Sequence, residues 1–67
     1  MQSAKPNPRR AEPPFAMVEV VRGLIRSLGV QGAARRMNLG REATLAIAAG
    51  ARVDKGTLAL AERALEI

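Results

Sequence analysis

Six arginines, Arg22, Arg26, Arg35, Arg36, Arg41 and Arg52, fall between positions 22 and 52, where the chain carries one acid, Glu42. A guanidinium stays charged at physiological pH. Its planar fork of donors matches phosphate oxygens and the O6/N7 edge of guanine. From Asp54 onward the balance turns slightly acidic, with Lys55 and Arg63 against Asp54, Glu62 and Glu66. The net charge of +5 is therefore concentrated in the middle of the chain. A basic middle favours a polyanionic partner, nucleic acid first. The competing reading of the same arginines is a solvated face that keeps the protein in solution.

Other chemistry is poorly supplied. Histidine and cysteine are both absent, which removes the usual zinc ligands, disulfides and the commonest general base. The hydroxyls are Ser3, Ser27, Thr44 and Thr57, with no imidazole to activate them. Glu19, Glu42, Asp54, Glu62 and Glu66 show no catalytic pairing, and no glycine-rich phosphate loop occurs. Neither an enzyme nor a cofactor or metal is expected. The lone aromatic, Phe15, argues against stacking of single-stranded bases. No apolar run approaches the roughly 20 residues of a membrane span. A cytoplasmic, nucleoid-associated protein is expected.

The elements that must position these arginines follow from the apolar pattern. Residues 1–14, "MQSAKPNPRRAEPP", hold all four prolines and little apolar content, so they read as a disordered basic arm. Lys5, Arg9 and Arg10 give that arm a means of reaching phosphates or a minor groove. Residues 15–67 read as one small domain. A first helix is expected over 15–28, with Met17, Val20, Val21, Leu24 and Leu28 on its apolar stripe and Val18 and Ile25 alongside. Gly29 ends it.

The stretch "QGAARRMNLGREATLAIAAG", 31–50, poses the central question of one helix or two. Asn38 tolerates positive φ, Leu39 suits the gap between two helices, and Gly40 and Glu42 suit a helix start. One continuous helix would carry Asn38 and Gly40 in its middle and throw Leu39 onto the arginine side. Two helices, 31–37 and 41–49, therefore fit better, with Ala33, Ala34 and Met37 inward and Arg35 and Arg36 outward. Asp54 then caps a last helix over 55–66, with Leu58, Ala61 and Leu65 inward.

This string resembles the lambda-repressor-like helix-turn-helix DNA-binding domains. The residues that carry the resemblance are "GVQGAARRMNLGREATLAIAAG" followed by "ARVDKGTLALAERAL". Gln31 opens the first helix of the motif, Ala34 marks the helix contact, and Met37 and Leu39 bracket the turn. Gly50 ends the second helix, and Thr57, Leu58, Ala64 and Leu65 match the helix that follows. Two positions depart from the pattern: Asn38 stands where glycine is usual, and Thr44 where Val, Ile or Leu is usual.

The resemblance implies an all-α, four-helix domain and a bacterial or phage transcriptional regulator, with helix 41–49 in the major groove of double-stranded DNA. Arg41, Glu42, Leu45 and Ala46 would then face bases: Arg41 towards guanine, Glu42 towards cytosine, and the two apolar residues towards thymine methyls. Gln31, Arg35, Arg36, Arg52 and Lys55 would hold phosphates. A homodimer or another regulatory protein is a further expected partner, since one domain reads about one half-site. The alternative is a protein-interaction module, adaptor or antitoxin-like, that keeps the fold without base readout. The alanine- and leucine-rich character of 41–49 is what motivates it.

Overall fold

The computed structural model describes residues 8–66. In chain order these form β1 (Arg10–Ala11), α1 (Phe15–Met37), α2 (Arg41–Ala48), β2 (Val53–Asp54) and α3 (Lys55–Leu65). The three helices enclose a small core, with α1 packed against both α2 and α3. Met17, Val21, Met37, Ile47, Val53 and Ala61 form its centre. Ile25, Leu39, Leu58 and Leu65 pack around it, half-buried.

Three helices replace the four expected, because segments 15–28 and 31–37 are a single element broken at one residue. Gly29 has φ 77° and ψ 170°, outside the helical region and in territory nearly confined to glycine. One residue thus makes the bend that a loop would otherwise make. Gly32 is needed at the same bend for a different reason. A Cβ there would lie 2.6 Å from Leu28 Cβ, a distance real side chains do not adopt. The apolar stripe of α1 is covered only in part. Of its residues Met17 and Val21 are buried, Leu24 is half-buried, Val20 is exposed and Leu28 is 53 % exposed, while Val18, expected alongside it, is buried.

The turn between α1 and α2 forms from local signals. Asn38 adopts the left-handed conformation (φ 56°, ψ 40°). Its N–H donates to the Arg35 carbonyl at 3.1 Å, and the Leu39 N–H donates to the Ala34 carbonyl at 2.9 Å. These are the paired bonds of a Schellman ending, which satisfy carbonyls a helix terminus leaves open. The end of α2 repeats them: Gly50 N–H to Ile47 O and Ala51 N–H to Ala46 O, both 2.9 Å. Helix α2 therefore ends at Ala48, one residue short of the expected 49, and α3 ends at Leu65 rather than 66.

Thr44, the residue that departs from the usual aliphatic, is fully buried. Its Oγ1 donates to the Gly40 carbonyl at 2.9 Å, four residues back in the same turn. The hydroxyl is thereby satisfied, and its methyl faces the core at no polar cost.

The arm differs most from expectation. Residues 1–7 lie outside the described residues, but the chain from Arg10 on is folded. Strand β1 pairs antiparallel with β2, Arg10 opposite Asp54 and Ala11 opposite Val53. Two further bonds hold this ribbon: Lys55 N–H to Arg9 O at 2.7 Å, and Arg52 Nη2 to Arg10 O at 3.1 Å. Pro13, also within the expected arm, is buried.

Asp54 caps α3 as its residue type and position require, accepting from the Gly56 N–H at 2.7 Å. Asp54→Ala removes that acceptor and should cost about 1 kcal/mol. A urea denaturation midpoint unchanged by the substitution would show that the cap bond contributes nothing.

Candidate nucleic-acid interface

Helix α2 is held by one side and exposed on the other. Thr44 and Ile47 point into the core and are fully buried. Arg41, Glu42, Leu45 and Ala49 are exposed. Arg41, Leu45 and Ala49 are spaced at four residues, so they form one strip along the outer face. The strip begins with a cation at its N-terminal end and continues as apolar surface, Leu45 being 42 % exposed.

Each end of this strip has a neighbour on α1. At the C-terminal end, Arg22 Nε donates to the Ala48 carbonyl at 2.8 Å, and Arg22 Nη1 lies 3.7 Å from Glu19. At the N-terminal end, Arg41 lines a shallow concavity with Leu28, Gly29, Val30 and Gln31. The Gly29 bend thus brings the start of the second segment of α1 beside the start of α2. Arg35 and Arg36 follow on that segment and are exposed. Their charges lie in the last turn of α1, where the helix dipole favours cations.

The opposite flank of α2 borders a second groove, of about 500 Å³. Glu42, Ala43 and Ala46 form its α2 wall, and Arg10, Arg52 and Asp54 belong to the ribbon side. Ala46 is half-buried and packed against the core, so it lies off the exposed strip that Leu45 occupies.

The structure therefore brings Gln31 and Arg41 together and leaves Arg35, Arg36, Arg52 and Lys55 exposed. Arg52 uses one guanidinium nitrogen on the Arg10 carbonyl, and Lys55 uses its backbone N–H on Arg9, which leaves the ammonium outside the ribbon's bonding. Two contacts of the site leave no trace in the sequence. Arg22 reaches α2 across 26 positions, and Arg10 reaches the groove through strand pairing with Asp54. The cationic character of both, and a reach of Arg10 to phosphates, are legible in the sequence; these two contacts are not.

Among the described residues no group of acids, cysteines or histidines is placed to hold a metal ion, and no helix is long and apolar enough to cross a membrane. No family model matches the chain, and no curated protein or solved structure matches it either.

Proposed function

We propose that this chain binds double-stranded DNA, with α2 entering the major groove, and serves as a bacterial or phage transcriptional regulator in the cytoplasm. The observation that supports this best is the arrangement around the Asn38 turn. Two helices meet at an angle set by a three-residue connection, and the second begins with an exposed arginine. The N-terminal end of such a helix is the part that meets base edges first. Arg41 is the base reader, Glu42 accepts from a cytosine amine or orients Arg41, and Leu45 contacts thymine methyls. Gln31, Arg35, Arg36, Arg52 and Lys55 hold phosphates and set register. A second copy of the chain supplies the second half-site that useful specificity requires.

The test is a pair of binding titrations. Duplex DNA should bind with a log–log salt slope of roughly −3 to −4, the value for about four neutralised phosphates. After selection of a preferred site from a random pool, Arg41→Ala should cost about 1–3 kcal/mol on that site and relax preference at one base pair. Arg35→Ala should instead weaken preferred and scrambled duplexes alike and lower the slope by roughly one. If Arg41→Ala weakened both duplexes by the same factor, Arg41 would be a phosphate contact.

A second reading rests on the apolar part of the strip. Exposed Leu45 on α2 and exposed Leu28 beside Arg41 favour a protein partner of the adaptor or antitoxin kind. Absence of duplex binding at low salt is the outcome that selects it.

A further inference from the structure

The ribbon gathers cations that the sequence keeps apart. Arg9 and Arg10 come from the N-terminal segment, and Arg52 and Lys55 flank β2, so residues separated by 42 positions share one surface. The segments 9–12 and 52–55 hold four cations against two acids, Glu12 and Asp54; Asp54 lies opposite Arg10, and its Oδ1 accepts from the Gly56 N–H at 2.7 Å. Arg10, Arg52 and Lys55 are all exposed. Four cations against two acids leave the ribbon net positive, which suits an anion laid across it.

The placement of the ribbon says which anion. Helix α2 has two flanks: the Leu28–Gln31 concavity on one and the ribbon groove on the other. A helix with its side chains is roughly 10–12 Å across, and the major groove is about 12 Å wide. When α2 fills that groove, each flank faces one sugar-phosphate strand. The side of Gln31, Arg35 and Arg36 meets one of them.

We infer that the β1–β2 ribbon is a second phosphate-gripping element, with Arg10 on the backbone strand across the groove from Gln31. This rests on the DNA-binding reading above. It turns the end of the expected arm into a fixed part of the interface, since Arg10 is held in register by pairing with β2 and by the Arg52 bond to its carbonyl. Only the Arg10 backbone takes part in those bonds, so its side chain is available to phosphate without loosening the ribbon.

The experiment is a salt titration of binding to a labelled duplex of about 20 base pairs, a length spanning both flanks of one half-site. The wild-type chain is compared with Arg10→Gln, Arg10→Lys and Arg63→Gln. Arg63 serves as a control for overall charge, because it sits two turns up α3, about 12 Å along the helix from Lys55. Arg10→Gln should make the slope shallower by about one, so that the affinity lost between 50 and 200 mM salt shrinks about threefold. Arg10→Lys should restore the slope, and Arg63→Gln should leave it unchanged. Citrulline at position 10, placed by chemical synthesis, removes the charge and keeps the shape; it should reproduce Arg10→Gln and the wild-type thermal midpoint. A full wild-type slope in the citrulline protein overturns the ribbon inference alone. A wild-type chain that fails to bind duplex at low salt overturns the proposed function and this inference together.

Discussion

Ile47→Ala is expected to leave little of this domain folded at 37 °C. Ile47 is the branched side chain through which α2 is anchored, fully buried beside Met17, Val21 and Met37. Truncating such a residue removes buried methyl groups and leaves a cavity, at a cost of about 2–5 kcal/mol. A chain of this length has a total stability of only about 3–10 kcal/mol, so the loss is a large fraction of it. Thermal unfolding followed by far-UV circular dichroism should show a midpoint lowered by at least about 10 °C. The companion Ile47→Val should cost only about 0.5–1.5 kcal/mol, because one methylene is lost and the neighbours close on it. A change of a degree or two for the alanine variant would mean that α2 is not held by this side chain. The proposal that α2 serves as a rigid recognition element would then lose its basis.

The second large effect concerns the bend. Gly29→Ala should destabilise by about 1–3 kcal/mol although a Cβ at that position meets nothing within 4 Å. The cost is entirely one of backbone conformation, since φ 77° with ψ 170° is closed to L-residues. The mirror-image argument makes the prediction sharp. A D-alanine at position 29 finds those same angles in its ordinary extended region, and it restricts the unfolded chain. It should therefore match or exceed the glycine protein, by up to about 1 kcal/mol. The chain is short enough for chemical synthesis, and urea denaturation of the two forms gives the comparison. Equal destabilisation by L- and D-alanine would mean that space, not φ, governs the position. An L-residue that forced Gly29 into helical angles would straighten α1 and carry Ala33, Ala34 and Met37 out of the core, along with Gln31 and the two arginines behind them.

The parts of this molecule legible in the sequence are those whose cause is local. Asn38 takes a left-handed conformation because its short amide tolerates it, and the helix must end there whatever packs above. Asp54 caps α3 because the acceptor and the Gly56 N–H lie two residues apart. Gly29 interrupts α1 for the same kind of reason, although the sequence suggests a gap between two helices where the structure makes a one-residue break. The exposure of Arg35, Arg36, Arg41, Glu42 and Leu45 likewise follows from helical periodicity once the turn at Asn38 is placed.

What only the tertiary structure decided depends on contacts between distant segments. The pairing of Arg10–Ala11 with Val53–Asp54 leaves no periodic trace, because two residues are too few to show an alternation. Prolines around β1 even argue for disorder, and it is the partner strand, together with Arg52 on the Arg10 carbonyl, that overrides them. The exposure of Leu28, next to the bend, and the turning of Ala46 toward the core reflect where α1 bends and how α2 lies across it. Thr44 belongs to both levels: its hydroxyl is satisfied within its own turn, but its burial comes from the helices that cover it. A pattern of residue types specifies which side of a helix is apolar. Which part of that side is covered depends on the angle between elements, and here that angle follows from the Gly29 break and the Asn38 turn.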